Sequence, residues 1–187
     1  MIDKTFAFIL DELNGFLNSR FPSNEPHAVL SHLVNQDGTV PVQVEKKVVL
    51  SLVNVEREAA APASGMQARA GGGYARISPS LNLNVYLLVS ASFGNNYGEA
   101  LKFLSAALIF FQGRPVYSPQ SSHRFPKELE KIAFELVTLD FHALNNLWSM
   151  QGGKYLPSAL YKTRMLTVQD ARITELVPES TGAGAGL

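Results

Sequence analysis

The chain contains a regular alternation of apolar and polar residues between Leu81 and Ala91. Apolar side chains occupy the odd positions, and the even positions are mostly polar. A period of two residues is typical of a β-strand that buries one face. The pattern therefore predicts a strand from Leu81 to Phe93 with its odd-numbered side chains in the core.

A buried helix is predicted directly after this strand, over residues 97–112. Asn96 followed three residues later by Glu99 is a helix-capping signal, and Gly113 and Pro115 are typical of a helix end. Apolar residues form one stripe at Leu101, Leu104, Leu108 and Phe111, and other faces hold Phe103, Ile109 and Phe110. A helix that is apolar nearly all round must be covered on most of its sides.

A second long helix is predicted at the N-terminus, over residues 3–20. Apolar residues recur there at spacings of three and four, at Ile2, Phe6, Ile9, Leu13, Phe16 and Leu17. The helix should end near Phe21, because a residue that precedes a proline avoids helical torsion angles.

Shorter patterns predict the remaining elements. Two short strands over 28–34 and 40–44 could pair as a hairpin around the turn at Asp37-Gly38. A valine-rich run over 47–56 is apolar on both faces, which is typical of a central strand with a layer on each side. The last elements are a strand over 131–139, a helix over 141–150 with Asp140 as its cap, and a strand over 160–168. Together these elements predict a single α+β or α/β domain, a mixed β-sheet with the N-terminal and central helices packed on it. The domain should span 1–170 and be followed by a C-terminal tail over 171–187 that is flexible at its end.

The segment from about 59 to 79 lacks convincing periodicity and is predicted to be a long flexible loop. No acidic residue occurs between Ala59 and Gly98, whereas Arg69 and Arg76 lie in the segment together with Tyr74. Two interpretations stay open, a solvated loop and an arm that contacts a partner. On the second interpretation Arg69, Tyr74 and Arg76 are candidate interface residues.

Lys162 and Arg164 are two further candidate interface residues. They occupy alternate positions of the last predicted strand, on one face. Two cations on one face of a strand indicate either a sheet edge or a solvated face.

Composition excludes several classes of function. The 16 basic and 16 acidic residues cancel, so no overall positive field favours nucleic acid. Charged residues make up 17% of the chain, below the roughly 25% that is usual in soluble proteins. Either partners cover much of the surface, or small and neutral residues replace charges in the loops. No apolar run is long enough to predict a membrane span.

The sequence shows no convincing catalytic or metal-binding pattern. Cysteine is absent, and the four histidines have no spacing that would place two of them on one helix face beside a carboxylate. The triple glycine at 71–73 lacks the Lys-Ser/Thr pair of a phosphate-binding loop. We therefore expect no enzyme activity, no cofactor and no metal.

The sequence resembles the cap, or tail-terminator, proteins of phage-tail-like contractile injection systems of the virulence-cassette and antifeeding-prophage type. The resemblance covers about residues 4–170 in the family's order. The segments that carry it are 49–56 (VLSLVNVE), 81–93 (LNLNVYLLVSASF), Tyr97, 100–101, 104–105, 109–112 (IFFQ), 134–136 (FEL), 145–148 (NNLW), 155–158 (YLPS) and 161–165 (YKTRM).

The resemblance implies a fold like that of phage tail terminators and a structural role. The implied protein forms a ring of six copies that closes the distal end of the inner tube and anchors the last sheath ring. Its partners would be further copies of itself, the tube protein and the sheath protein. It would assemble in the bacterial cytoplasm and then form part of the injection particle. The alternatives are a non-enzymatic scaffold or adaptor module of another assembly, and a small-molecule enzyme, which would need a pocket with converging polar groups.

Overall fold

The computed structural model of the protein describes residues 1–58, 67–70, 73–77, 82–152, 154–167 and 173–178. In these ranges the chain forms α-helices, one 3₁₀-helix and strands that make two sheets. The elements in chain order are α1 (Ile2–Arg20), β1 (Ala28–Leu30), the 3₁₀-helix (Val42–Val44), β2 (Lys47–Arg57), β3 (Gln67–Ala70), β4 (Gly73–Ile77), β5 (Leu83–Ser92), α2 (Tyr97–Gly113), β6 (Val116–Tyr117), β7 (Leu129–Val137), α3 (Phe141–Gln151), β8 (Ser158–Thr167) and β9 (Ile173–Pro178).

The larger sheet has six strands in the order β1-β2-β5-β8-β7-β6. β1 runs parallel to β2, and the other neighbouring pairs are antiparallel. Helices α1 and α2 cover one face, which we call the first face, and α3 with the 3₁₀-helix covers part of the other, the second face. The predicted mixed sheet with the N-terminal and central helices packed on it is therefore confirmed.

The core lies on both sides of β5. Val85, Leu87 and Val89 face the large cluster under α1 and α2, and Leu88 belongs to the smaller cluster under α3. The prediction that only one face of this strand is buried was wrong, because α3 and the 3₁₀-helix segment cover its even-numbered side chains as well. The two-sided burial predicted for β2 is confirmed by Val48 and Val49, which lie in different clusters.

Helix α2 begins where the sequence predicts and ends one residue later, but it is buried on fewer sides than predicted. The Glu99 N–H donates a hydrogen bond to Asn96 Oδ1 at 3.2 Å, which confirms the cap. The buried side chains are Ala100, Phe103, Ala106, Ala107, Phe110 and Phe111. Leu101 and Ile109 are 43% and 48% exposed. Phe111 of the predicted stripe is buried and Leu104 is partly buried, whereas Leu101 is exposed, so the prediction that α2 is covered on most of its sides was wrong.

The predicted hairpin over 28–44 does not form. The turn is present, with Gly38 at φ 82°, but β1 ends at Leu30 and pairs in parallel with β2. Residues 42–44 form the 3₁₀-helix after Pro41 instead of a second strand. The proline lacks an N–H and cannot donate to a strand ladder, which favours this outcome.

The second half of the domain follows the predicted order of strand, helix and strand. Asp140 Oδ1 accepts a hydrogen bond from the Ala143 N–H at 2.7 Å, and Gly152 ends α3 in the left-handed conformation with φ 66°. β8 lies between β5 and β7. Of the two interpretations of Lys162 and Arg164, the sheet edge is therefore wrong.

The smaller sheet has the order β3-β4-β9 and is antiparallel throughout. Two stretches of the segment predicted to be an irregular loop, 67–70 and 73–77, are strands in it. A strand also forms at 173–178, inside the predicted C-terminal tail. These strands were missed because each is short and its partner is distant in sequence. The rest of the predicted loop and the end of the tail lie outside the described residues, so their predicted flexibility stays a prediction.

Candidate assembly surfaces

Lys162 and Arg164 lie in a polar patch on the second face of the large sheet. Lys162 is opposite Tyr86 on β5 and Glu135 on β7, and Arg164 is two positions along. Arg164 Nη2 donates to Glu135 Oε2 at 2.9 Å, and both side chains are at least half exposed, so the pair adds little stability. The second-face position agrees with the solvated-face interpretation.

Tyr86 extends this patch to the end of β2. Its hydroxyl donates to Glu56 Oε2 at 3.0 Å. Burial and this contact with the carboxylate both raise the pKa of Tyr86, so the phenol stays neutral. The patch therefore contains one ion pair, one phenol–carboxylate bond and the Lys162 ammonium. This arrangement suits a polar contact with a partner surface.

Asn84, which lies beside the patch, was missed by sequence reasoning. It is 4% exposed and is opposite both Glu56 and Arg164. Its Oδ1 atom is buried, and within the described ranges it has no hydrogen-bond partner. A buried, unpaired amide oxygen is costly, but polarity alone did not distinguish Asn84 from the exposed asparagines of the chain.

Arg69, Tyr74 and Arg76 belong to the smaller sheet. In the register, Arg69 is opposite Tyr74, and Arg76 is opposite Glu175 of β9. The three residues are thus held on neighbouring strands. Lys162 and Arg164 belong to the larger sheet, so the five candidate residues fall into two sets, one in each sheet.

A notch opens where β1 ends, at the edge of the large sheet. Its volume is about 370 Å³. One wall is the start of α1, the other is the end of α3, and the floor is the uncovered edge of β2. The lining residues are Ile2, Asp3, Phe6, Leu30, Ser31, His32, Leu50, Ser51, Leu52 and Gln151. Sequence reasoning missed this notch because it depends on where β1 stops.

Large apolar side chains are exposed on several other surfaces. They include Tyr97, Leu101 and Ile109 on α2, Phe141 and Met150 on α3, Val40 and Val42 next to it in the 3₁₀ segment, and Leu136 on β7. Phe141 is 91% exposed and Val42 is 87% exposed. Exposed apolar residues in such number favour contacts with other proteins.

No group of three or more His, Asp or Glu side chains in the described part of the chain is arranged to hold a metal ion. Burial raises the pKa of Tyr161 to about 12, and its ring lies 4.4 Å from that of Phe111 in the core. None of the helices in the described ranges is long and apolar enough to cross a membrane.

Comparison with known proteins agrees with this fold. The Pvc16 N-terminal domain family model matches residues 8–181. One similar structure is the PVC sheath/tube terminator of an extracellular contractile injection system in its extended state, with 14% identity, a TM-score of 0.57 and coverage of 95% of this chain and 62% of that chain. Another is the tube-terminating cap of the anti-feeding prophage, with 14% identity, a TM-score of 0.54 and coverage of 90% of this chain and 58% of that chain. The chain thus spans about three fifths of each of these proteins. A search of curated protein sequences finds no match.

Proposed function

This chain belongs to the Pvc16 N-terminal domain family, and we propose that it is a structural cap that closes the inner tube of a contractile injection system. The observation that carries the proposal is the family match over residues 8–181, supported by a fold shared with two terminators over at least nine tenths of the chain. The sheath ring nearest the cap would be its second partner.

We further propose that the cap is a closed ring, with six copies as the expected number. A tube end is a ring of exposed loops and edges, and a cap with matching rotational symmetry covers it with the fewest distinct contacts. The exposed apolar side chains on α2, α3 and the sheet edge supply surfaces for such contacts. A role of this kind requires binding and no turnover, which fits a non-enzyme. The ring would assemble in the bacterial cytoplasm and then leave as part of the particle.

The two candidate sets have separate roles in this proposal. The smaller sheet, with Arg69, Tyr74 and Arg76, acts as an assembly arm that contacts a partner. Arginine and tyrosine are the residues that most often carry interface energy. The polar patch with Lys162 and Arg164 offers a second, charge-dependent contact.

The proposal is tested by assembling particles with the purified chain and measuring tube length by electron microscopy. The native chain should give tubes of uniform length, and analytical ultracentrifugation should show a ring alone or with tube protein. Combined replacement of Arg69, Tyr74 and Arg76 by alanine should give tubes of uncontrolled length or loosely held sheath. Lys154→Ala, an exposed cation outside both sets, is the matched control and should cap normally.

Two outcomes would contradict the proposal. If the native chain neither forms a ring nor binds tube protein, the cap function is wrong, and a scaffold or adaptor role becomes the better explanation. If the native chain caps tubes and the triple variant caps them equally well, the cap function stands and the arm is an ordinary surface loop.

A further inference from the structure

We propose that neighbouring copies in the ring join edge to edge, with the end of β7 of one copy entering the notch beside β2 of the next. The contact would be limited to the open ends of the two strands, because β6 and Pro115 cover the outer side of β7 as far as Phe134. This inference rests on the proposed function, because the ring supplies the second copy.

Both lateral edges of the large sheet are only partly covered. β1 pairs with Val48, Val49 and Leu50, and in the described part of the chain residues 52–57 of β2 have no strand on that side. At the opposite edge β6 pairs with Ile132 and Ala133 alone, which leaves 135–137 of β7 without a described strand partner outside. Unpaired strand edges present N–H and C=O groups that can hydrogen-bond with another strand.

The strand directions permit this pairing. β2, β5, β8 and β7 are joined by antiparallel ladders, so β2 and β7 point in opposite directions. A rotation about an axis along the strands keeps every copy's strand directions unchanged. The β7 of one copy would therefore meet the β2 of the next in an antiparallel ladder. Because the two edges differ, the contact is heterologous and can close into a ring.

Apolar side chains at the two edges are complementary. Leu52, Leu87, Tyr161 and Leu136 form one row across the sheet, which places Leu52 and Leu136 on the first face. Leu52 is 47% exposed and Leu136 is 56% exposed, although both belong to the face that α1 and α2 cover elsewhere. The notch is larger than one leucine side chain, so Leu136 of the neighbour would fill a space that one copy leaves open.

Cysteine cross-linking tests this pairing directly, because the native chain has no cysteine. Leu52 and Leu136 of one copy are separated by three strand spacings of about 4.8 Å each, or roughly 14 Å. A disulfide needs Cα atoms within about 7 Å, so a bond between these positions can form only between copies. Leu52→Cys and Leu136→Cys are made separately and together, and oxidation is carried out with and without tube protein.

The two single variants, mixed and oxidised, should give a covalent dimer, and the double variant should give a ladder of species up to the full ring. Each single variant alone should stay uncross-linked. Leu101→Cys mixed with Leu136→Cys is the matched control, because Leu101 is equally exposed but lies on α2, and it should not cross-link. Leu136→Asp should keep the native circular dichroism spectrum and lose the ring.

The outcomes separate this inference from the cap function. Cross-linking of Leu52→Cys with itself would show two-fold pairing and overturn the inference. A ring of normal mass that forms without the 52–136 bond, or that survives Leu136→Asp, would overturn the edge contact and leave the cap function intact. A cross-linked ring that fails to bind tube protein would support the edge contact and overturn the cap function. A chain that stays monomeric with tube protein present would overturn both.

Discussion

Replacing Phe111 with alanine should destabilise the fold by about 3–5 kcal/mol. Phe111 is 1% exposed, and its ring lies 4.4 Å from that of Tyr161 and 5.0 Å from that of Phe134. It therefore joins α2 to two strands of the large sheet. Alanine would leave a cavity among aromatic rings that are held by the backbone of three different elements, so the site cannot collapse easily. The upper part of the range is expected for this reason.

Urea unfolding measures the effect, with two probes. Trp148 is the single tryptophan of the chain and lies in the cluster on the second face, whereas circular dichroism reports all elements. Coincident transitions would show that both faces unfold together and justify a two-state free energy. The expected loss of unfolding free energy in Phe111→Ala corresponds to a decrease in the melting temperature of roughly 6–20 °C.

Ile109→Ala is the matched control for this measurement. Ile109 lies on the same helix and is 48% exposed, so its replacement should change the unfolding free energy by no more than about 0.5–1 kcal/mol. Leu104, which the sequence pattern placed with Phe111 in one stripe, is only partly buried and should fall between the two. Equal losses for Phe111→Ala and Ile109→Ala would show that α2 does not pack as described.

Two further predictions concern Tyr161 and Asp140. Because burial raises the pKa of Tyr161 to about 12 from 10.0, its stabilising contribution is complete below pH 10 and is lost as the pH rises toward 12. The Tyr161→Phe variant does not lose this contribution, so its unfolding free energy minus that of the native chain should be about 1 kcal/mol larger at pH 11 than at pH 7. A difference that is the same at both pH values would contradict the burial of the phenol. Asp140→Ala removes the acceptor of the Ala143 N–H and should cost about 1 kcal/mol, whereas Asp140→Asn should retain most of the stability in the same urea assay.

The sequence was most informative where a structure depends on neighbouring residues. The caps at Asn96 and Asp140 and the left-handed end at Gly152 are local, because each side chain or backbone conformation acts within one turn of its own helix. The same holds for the end of α1 before Pro22. Helix boundaries were therefore predictable to within a residue or two.

The buried face of α2 could not be predicted because the sequence offers two apolar faces. Phe103 and Phe110 face the core because they pack against α1 and the residue that follows it. The ring centroid of Phe21 lies 4.6 Å from that of Phe103, and the ring centroid of Phe16 lies 5.5 Å from that of Phe110. These partners are distant in sequence. The smaller sheet was missed for a related reason, since β4 finds one of its partners, β9, only near the end of the chain.

The candidate surfaces show the same limit. The alternation along the strand correctly placed Lys162 and Arg164 on the same face, because this alternation depends only on neighbouring residues. It could not show that β8 is interior, since strand order depends on the whole sheet. The notch was beyond sequence reasoning, because its walls come from α1 and α3 at opposite ends of the domain.

The low charge fraction of 17% allowed two interpretations, a surface covered by partners or loops in which small residues replace charges. Replacement by alanine and glycine would leave few large apolar side chains exposed. The structure instead exposes Leu52 and Leu136 at opposite sheet edges, and Phe141 and Met150 on α3. Edge-to-edge pairing would bury the first two and leave the α3 pair uncovered. The proposed cap would have two kinds of neighbour, copies beside it in the ring and proteins above or below it, and the two groups of exposed residues would serve one kind each. This distribution favours the interpretation of a surface covered by partners, because it accounts for the position of the apolar residues as well as for the scarcity of charge.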